Sequence, residues 1–241
     1  MSDQVKVVGV DRCRGQWITA SLTQSVTDPA WQLAWQLGDH FLQVADPTAH
    51  VIGVDIPIGL ADSGTRLADL EARAALPGWA RSRVFLTPPR EVVTRCGQLD
   101  NTAVQELSRS LTGGGVSKQA LALAPAILDV DKALAASHHL QEVTIEVHPE
   151  LSFAAMCGVP ALPAKKPAQG VGQRVTALGR AWGFDVSQLL THAPPGVAVD
   201  DCLDALAAAW SANRHRLGNA TTWPAADNGQ RGRHGRMAIT A

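Results

Sequence analysis

Two apolar runs in this chain each lead into an aspartate, and no other feature restricts its fold as much. The first covers residues 5–11 and ends at Asp11; the second, HVIGVDIPIG over residues 50–59, contains Asp55. Small and β-branched residues in near-continuous succession suit a central strand covered on both faces. A carboxylate at the end of such a strand is costly to bury unless it is paired, hydrogen-bonded or bound to a metal. The pattern therefore predicts that Asp11 and Asp55 meet at one end of a sheet and share a cation. Pro57 lacks a ladder donor and keeps the second run from continuing as an ordinary central strand, which leaves Asp55 an architectural reading as well.

The rest of the chain supplies the elements for an α/β fold. A turn at Gly15-Gln16 leads into a second strand over 17–23, paired as a hairpin, with a short third strand over 25–27. Residues 29–44 fit a helix, with Asp28 as its cap and Pro29 at its first position. Helical character follows over 66–76, and residues 77–95 read as a loop-like tract holding Arg83 and Arg90. Helices are expected over 99–110 and 118–136, the latter divisible at Pro125. A strand over 142–147 stops before Pro149. Helices over 151–157, 174–182 and 199–214 complete the chain, ahead of a turn-rich basic tail. The economical architecture is one domain over 1–241 with a helical elaboration at about 66–136.

Several function classes drop out. Hydrophobic residues make up 46% and charged residues 18%, which excludes a disordered or fibrous chain. No apolar run approaches the roughly 20 residues of a membrane span, and the MSDQ start is polar, so a cytoplasmic protein with no membrane partner is expected. The four cysteines are scattered without zinc or redox spacing and read as reduced thiols. The triple glycine at 113–115 lacks the Gly-Lys-Ser/Thr ending of a phosphate-binding loop, and G-x-S-x-G is absent. A net charge of -1 gives no global attraction for nucleic acid, so any phosphate-binding surface must be local or relieved by divalent cations.

The acids converge on one chemistry. Asp201 and Asp204 lie three apart on one face of the last helix, whose following residues are almost wholly small and apolar. Such a helix should be buried, presenting carboxylates at the sheet edge. Capping by Asp200 or Asp201 explains one or two of these acids, but three in five residues exceed what a cap requires. Glu146 adds an acid in a buried-looking strand, with a salt bridge to Lys118 or an arginine as its competing role. His148 alternates to the same face and is the candidate for proton transfer or phosphate contact, against a plain hydrogen-bonded role at the strand end. An oxygen-rich set of Asp11, Asp55, Glu146, Asp201 and Asp204 suits Mg2+ or Mn2+. Two such ions can activate water and stabilise the leaving oxygen in phosphodiester hydrolysis.

The segments VVGVDRCRGQW, VIGVDIPIGL, RSRVFLTPPR, SKQALALAPAILDVD, EVHPELSFAAMCG and DDCLDALAAAW together resemble a bacterial and archaeal family of predicted nucleases, domain of unknown function 429. The resemblance implies an RNase H-like three-layer fold, with a central mixed sheet and helices on both faces. The first strand and the D-x-x-D-A-L-A helix are also similar to those of RuvC-type Holliday-junction resolvases. That similarity implies a metal-ligand role for Asp11, Asp201 and Asp204, with Asp55 nearest to the middle-strand acid. Arg14, Arg83, Arg90, Lys118, Lys165, Lys166 and Arg174 are candidate contacts to phosphate oxygens. The expected activity is metal-dependent phosphodiester hydrolysis on nucleic acid. The alternatives are phosphoryl transfer or hydrolysis on a nucleotide or small phosphorylated molecule, and a non-catalytic binding scaffold. Both a monomer and a homodimer fit the sequence.

Overall fold

A computed structural model describes residues 4–241. Strands β1 (Gln4–Cys13) and β2 (Gln16–Ser25) form an antiparallel hairpin in which Cys13 faces Gln16. Its two turn residues are Arg14, at φ 48°, and Gly15, at φ 89°; left-handed backbone at both matches the twist of the flanking strands. Strand β3 (Gln32–Gly38) pairs antiparallel with β2 and is followed by a single-turn helix, α1 (Phe41–Val44).

This strand corrects the helix expected over 29–44. Trp31 and Trp35 have helical spacing, but partly buried Leu33, Trp35 and Leu37 alternate with exposed Gln32, Ala34 and Gln36, a period of two. Asp28 does not cap a helix. It accepts hydrogen bonds from the Ala30 N–H and the Gln32 amide, closing the turn where a short strand over 25–27 was expected.

Strand β4 (Val51–Val54) comes next, then helices α2 (Leu67–Ala75), α3 (Arg90–Arg95), α4 (Asn101–Thr112), α5 (Lys118–Ala136) and α6 (His138–Val143). The expected loop over 77–95 therefore ends early, at the start of α3. Helix α5 runs unbroken through Pro125, and α6 takes the first part of the segment expected as a strand over 142–147. Strand β5 (Thr144–Val147) leads into α7 (Pro149–Cys157), α8 (Ala168–Trp182), α9 (Val186–Leu190) and α10 (Val199–Arg216). Short strands β6 (Thr222–Trp223), β7 (Arg231–Gly232), β8 (Gly235–Arg236) and β9 (Ile239–Thr240) close the chain.

The main sheet has the order β3-β2-β1-β4-β5-β9-β6; β1, β4 and β5 are parallel, β2 is antiparallel to β1, and β3, antiparallel to β2, runs the same way as β1. The chain divides into two compact units. Among the described residues the first comprises 4–55, 142–221 and 240–241; the second comprises 56–141 and 222–239.

In the first unit, the pleat sorts β1 and β4 into two faces. Val7, Gly9, Asp11 and Cys13 point one way, with Val51, Gly53 and Asp55 on the same side; Val8, Val10, Ile52 and Val54 point the other. Helix α10 lies on the first face, and its Leu203, Ala205 to Ala209 and Ala212 are all buried. On the opposite face, Trp17 of β2 packs edge-on against Phe41 of α1, with ring centroids 5.5 Å apart. Helices therefore cover both sides of a mixed sheet.

Gly9 and Gly53 are register partners beneath α10. A Cβ on Gly9 would stand 1.9 Å from the Ala205 carbonyl oxygen, and one on Gly53 would stand 2.5 Å from that of Ala208. Strand and helix backbones thus meet without an intervening side chain, and the first turns of α10 come down onto the ends of β1 and β4.

In the second unit, Asp100 and Ser117 cap α4 and α5 through their side chains. Buried Arg66 lies beside Asp69 of α2, while Asp69 accepts the Thr87 N–H at 2.7 Å. No helix among the described residues is long and apolar enough to cross a membrane.

Candidate metal centre

Asp11, Asp55 and Asp204 converge. Each offers a carboxylate oxygen lying within 4.8 Å of those of the other two. Asp11 stands near the end of β1, and Asp55 follows the last residue of β4 with its N–H donating to the Val10 carbonyl at 3.0 Å. Asp204 projects from the second turn of α10. The open end of parallel strands is where α/β sheets generally bind ligands.

The three carboxylates share few protein donors. Asp11 Oδ1 accepts the Arg12 N–H at 2.7 Å, and Asp204 Oδ2 accepts from Lys165 Nζ at 2.6 Å. The Asp55 carboxylate accepts no hydrogen bond from any described residue. Each acid therefore keeps at least one oxygen available to a ligand.

The electrostatics agree with that shortage. Burial, then the charges of Asp55 and Asp204, hold the Asp11 carboxyl well above the usual carboxylate range. Burial and the Asp204 charge do the same to Asp55. For Asp204, burial outweighs the attraction of Lys165 and pushes it up to about 6. Like charges gathered in a partly dry site favour protons or a cation.

The other expected acids lie beside this trio. Asp201 accepts from the Cys13 thiol, and burial, its largest influence, raises it. At 100° per residue, position 200 lies only about 40° from position 204 around the helix, and position 201 about 60° from it on the other side. Asp200 accordingly faces Lys165, at 3.6 Å, while Asp201 turns toward Cys13. Glu146 is the register partner of Val54, so the pleat sends it to the sheet face opposite Asp11 and Asp55. Its charge still contributes to raising Asp55. His148 precedes α7, and its carbonyl accepts the N–H groups of Leu151 and Ser152.

The basic candidates separate in the same way. Lys165 is at the centre itself, whereas Lys166 is exposed one residue on. Arg14 is exposed at the hairpin turn. Arg174 is fully buried: it pairs with Glu150 at 2.8 Å, donates to the Pro163 and Gly170 carbonyls and lies over the Phe153 ring. It fastens the loop that carries Lys165. Arg174→Met is expected to destabilise the fold by about 3–5 kcal/mol, the usual loss on breaking a buried pair, read as a lower denaturation midpoint.

In the second unit, Arg83 sits over the Trp79 ring and Lys118 is exposed at the start of α5. Arg90 holds Asp131 through two hydrogen bonds of 2.7 and 2.8 Å, and His234 Nε2 lies 2.9 Å from the same carboxylate. Burial opposes the Asp131 charge, but these partners hold the carboxyl below its usual value.

A cavity of about 890 Å³ in the first unit is lined by residues including Met156, Leu162, Gln173, Arg180 and Trp210. Its lining contains no carboxylate, so it does not compete as a hard-cation site.

Sequence reasoning passed over Gly9 and Gly53. Their signal was present: each lies two residues before the aspartate that its strand delivers, hence on the same face.

Comparison with known proteins adds one result. The model of a family described as protein of unknown function (DUF429) matches residues 9–228. Searches of the curated proteins and of the solved structures found no match.

Proposed function

The chain belongs to the DUF429 family, whose description assigns no chemistry, and from its acidic centre we propose that it is a metal-dependent phosphodiester hydrolase acting on nucleic acid. The convergence of Asp11, Asp55 and Asp204 carries this reading. The mixed sheet, the helices on both its faces and the acids at the ends of β1 and β4 support the RNase H-like assignment. An all-carboxylate donor set suits Mg2+ or Mn2+ over softer metals, and oxygens without protein donors are what a hard cation requires.

When bound, the ion would lower the pKa of a water molecule and neutralise charge on a phosphate oxygen. Asp11 and Asp204 would hold it from β1 and α10, and Asp55 would complete the seat from β4. The Arg12 N–H fixes the Asp11 carboxylate through Oδ1 and leaves Oδ2 without a described protein donor. Glu150 adds negative charge beside Asp55 and Asp204, with Arg174 offsetting it, and Asp200 shares Lys165 with Asp204.

Asp11 and Asp204 are 6% and 4% exposed. A recessed centre favours a single strand or a small nucleotide over the flank of a duplex, which keeps phosphohydrolase action on a nucleotide as the second reading. Single-stranded and duplex DNA and RNA, together with nucleoside phosphates, should therefore be incubated with the protein and Mn2+. Phosphodiester cleavage that stops on chelation is the expected result. Release of phosphate from nucleotides alone would favour the second reading, and no cleavage in the whole panel would refute both.

A further inference from the structure

We propose that the Lys165 ammonium is a resident cation of the acidic centre, so that Asp11, Asp55 and Asp204 take one divalent ion and not two. This rests on the hydrolase reading above and sets the stoichiometry of the same site. Lys165 Nζ lies 2.6 Å from Asp204 Oδ2 and 3.6 Å from Asp200 Oδ2, and its charge also acts on Asp11 and Asp55. Three carboxylates carry a formal charge of -3 and one ammonium +1, which leaves -2, the charge that one divalent ion cancels. A second divalent ion would have to settle beside an ammonium already within hydrogen-bonding distance of the shared ligand Asp204, and their repulsion in a partly desolvated site opposes it. Asp200 shares the lysine at the rim, and Glu150 is already paired with Arg174.

The loop around Lys165 is built to hold it there. Arg174 ties the Pro163 carbonyl to the Gly170 carbonyl across the lysine's own segment. A Cβ on Gly170 would stand 1.9 Å from the Ala164 oxygen, so the first turn of α8 is in backbone contact with the residue just before Lys165. A lysine held at both ends of its loop costs less entropy to order than a free surface side chain. The ammonium leaves Asp204 Oδ1, Asp11 Oδ2 and both oxygens of Asp55 without a described protein donor. It cannot generate hydroxide, but it can supply the charge-neutralising half of what a second ion would do.

Calorimetric titration with Mn2+ tests this on the intact protein. The wild type is expected to take one ion, and Lys165→Met to bind its first ion at least about tenfold more tightly, because a nearby positive charge is gone. Two ions in the wild type would overturn the proposal and leave the hydrolase reading standing; this arm does not depend on the variant folding. Unchanged or weaker binding by a folded Lys165→Met would overturn it as well. No binding to either protein would remove the hydrolase reading, and the inference with it.

Discussion

Asp55→Asn is expected to make the metal-free protein more stable while destroying its response to divalent ions. The substitution keeps the side chain's shape, and no described residue donates to the Asp55 carboxylate, so no protein hydrogen bond is lost. What disappears is one of three charges that burial and mutual repulsion make costly. A carboxyl whose pKa is higher folded than unfolded supports the fold fully below about pH 4 and loses that support as pH rises through the folded value. Metal-free wild type should therefore lose stability from about pH 4 upward through pH 6, the value to which Asp204 is raised, and beyond it. Saturating Mn2+ should remove that loss. In a chain of this size each kcal/mol regained is worth about 2–4 °C in melting temperature. Differential scanning across pH, with and without Mn2+, should show the variant melting above wild type near pH 7.5 without the ion and unmoved by its addition. Hydrolysis should fall by at least about 100-fold, since even residues that only orient metal ligands cost 10–100-fold when mutated. A lower metal-free melting temperature in the variant would mean that Asp55 serves architecture through its Pro57 turn.

Gly9→Ala should have the largest effect on folding. The added methyl would fall 1.9 Å from the Ala205 oxygen and 2.3 Å from the Ala209 nitrogen, both backbone atoms of α10. Neither can rotate away as a side chain could, so the helix must lift from the sheet. Overpacking typically costs 1–3 kcal/mol where side chains absorb it; a backbone collision on this scale should cost about 4 kcal/mol or more, a large part of a domain's net stability. Gly172→Ala provides a control of opposite sign. It lies in exposed helix with nothing within 4 Å of the new methyl and should gain about 0.5–1 kcal/mol. Denaturant midpoints of the two variants, measured beside wild type, check both values. A Gly9→Ala protein as stable as wild type would show that α10 does not seat on β1 as described.

The parts of this arrangement that could be read from sequence are those where burial and chemistry conflict. Asp11 and Asp55 stand out because apolar runs lead into them, and Asp204 because the helix around it is apolar on nearly every side. β3 was obscured because tryptophans at 31 and 35 satisfy helical spacing, while the alternation from Gln32 to Leu37 that decides the matter is carried by partial burial. Glu146 was grouped with the other acids by residue type. Its register with Val54 puts it on the other face, and a register cannot be seen before the partner strand is known. Arg174 and Lys165 both read as phosphate contacts, although one is a buried pin and the other the partner of Asp204. Those roles depend on how the loop over 158–167 folds, for which proline and glycine content gives no template.

The paired glycines under α10 tie the acidic centre to the packing of the sheet. With main chain resting on main chain, no rotamer change can open a gap between the strand ends and the helix turn that bears Asp204. Heating or denaturant would have to detach the whole helix before the acids could drift apart. Loss of the ion seat is thus expected to coincide with detachment of α10 from the sheet.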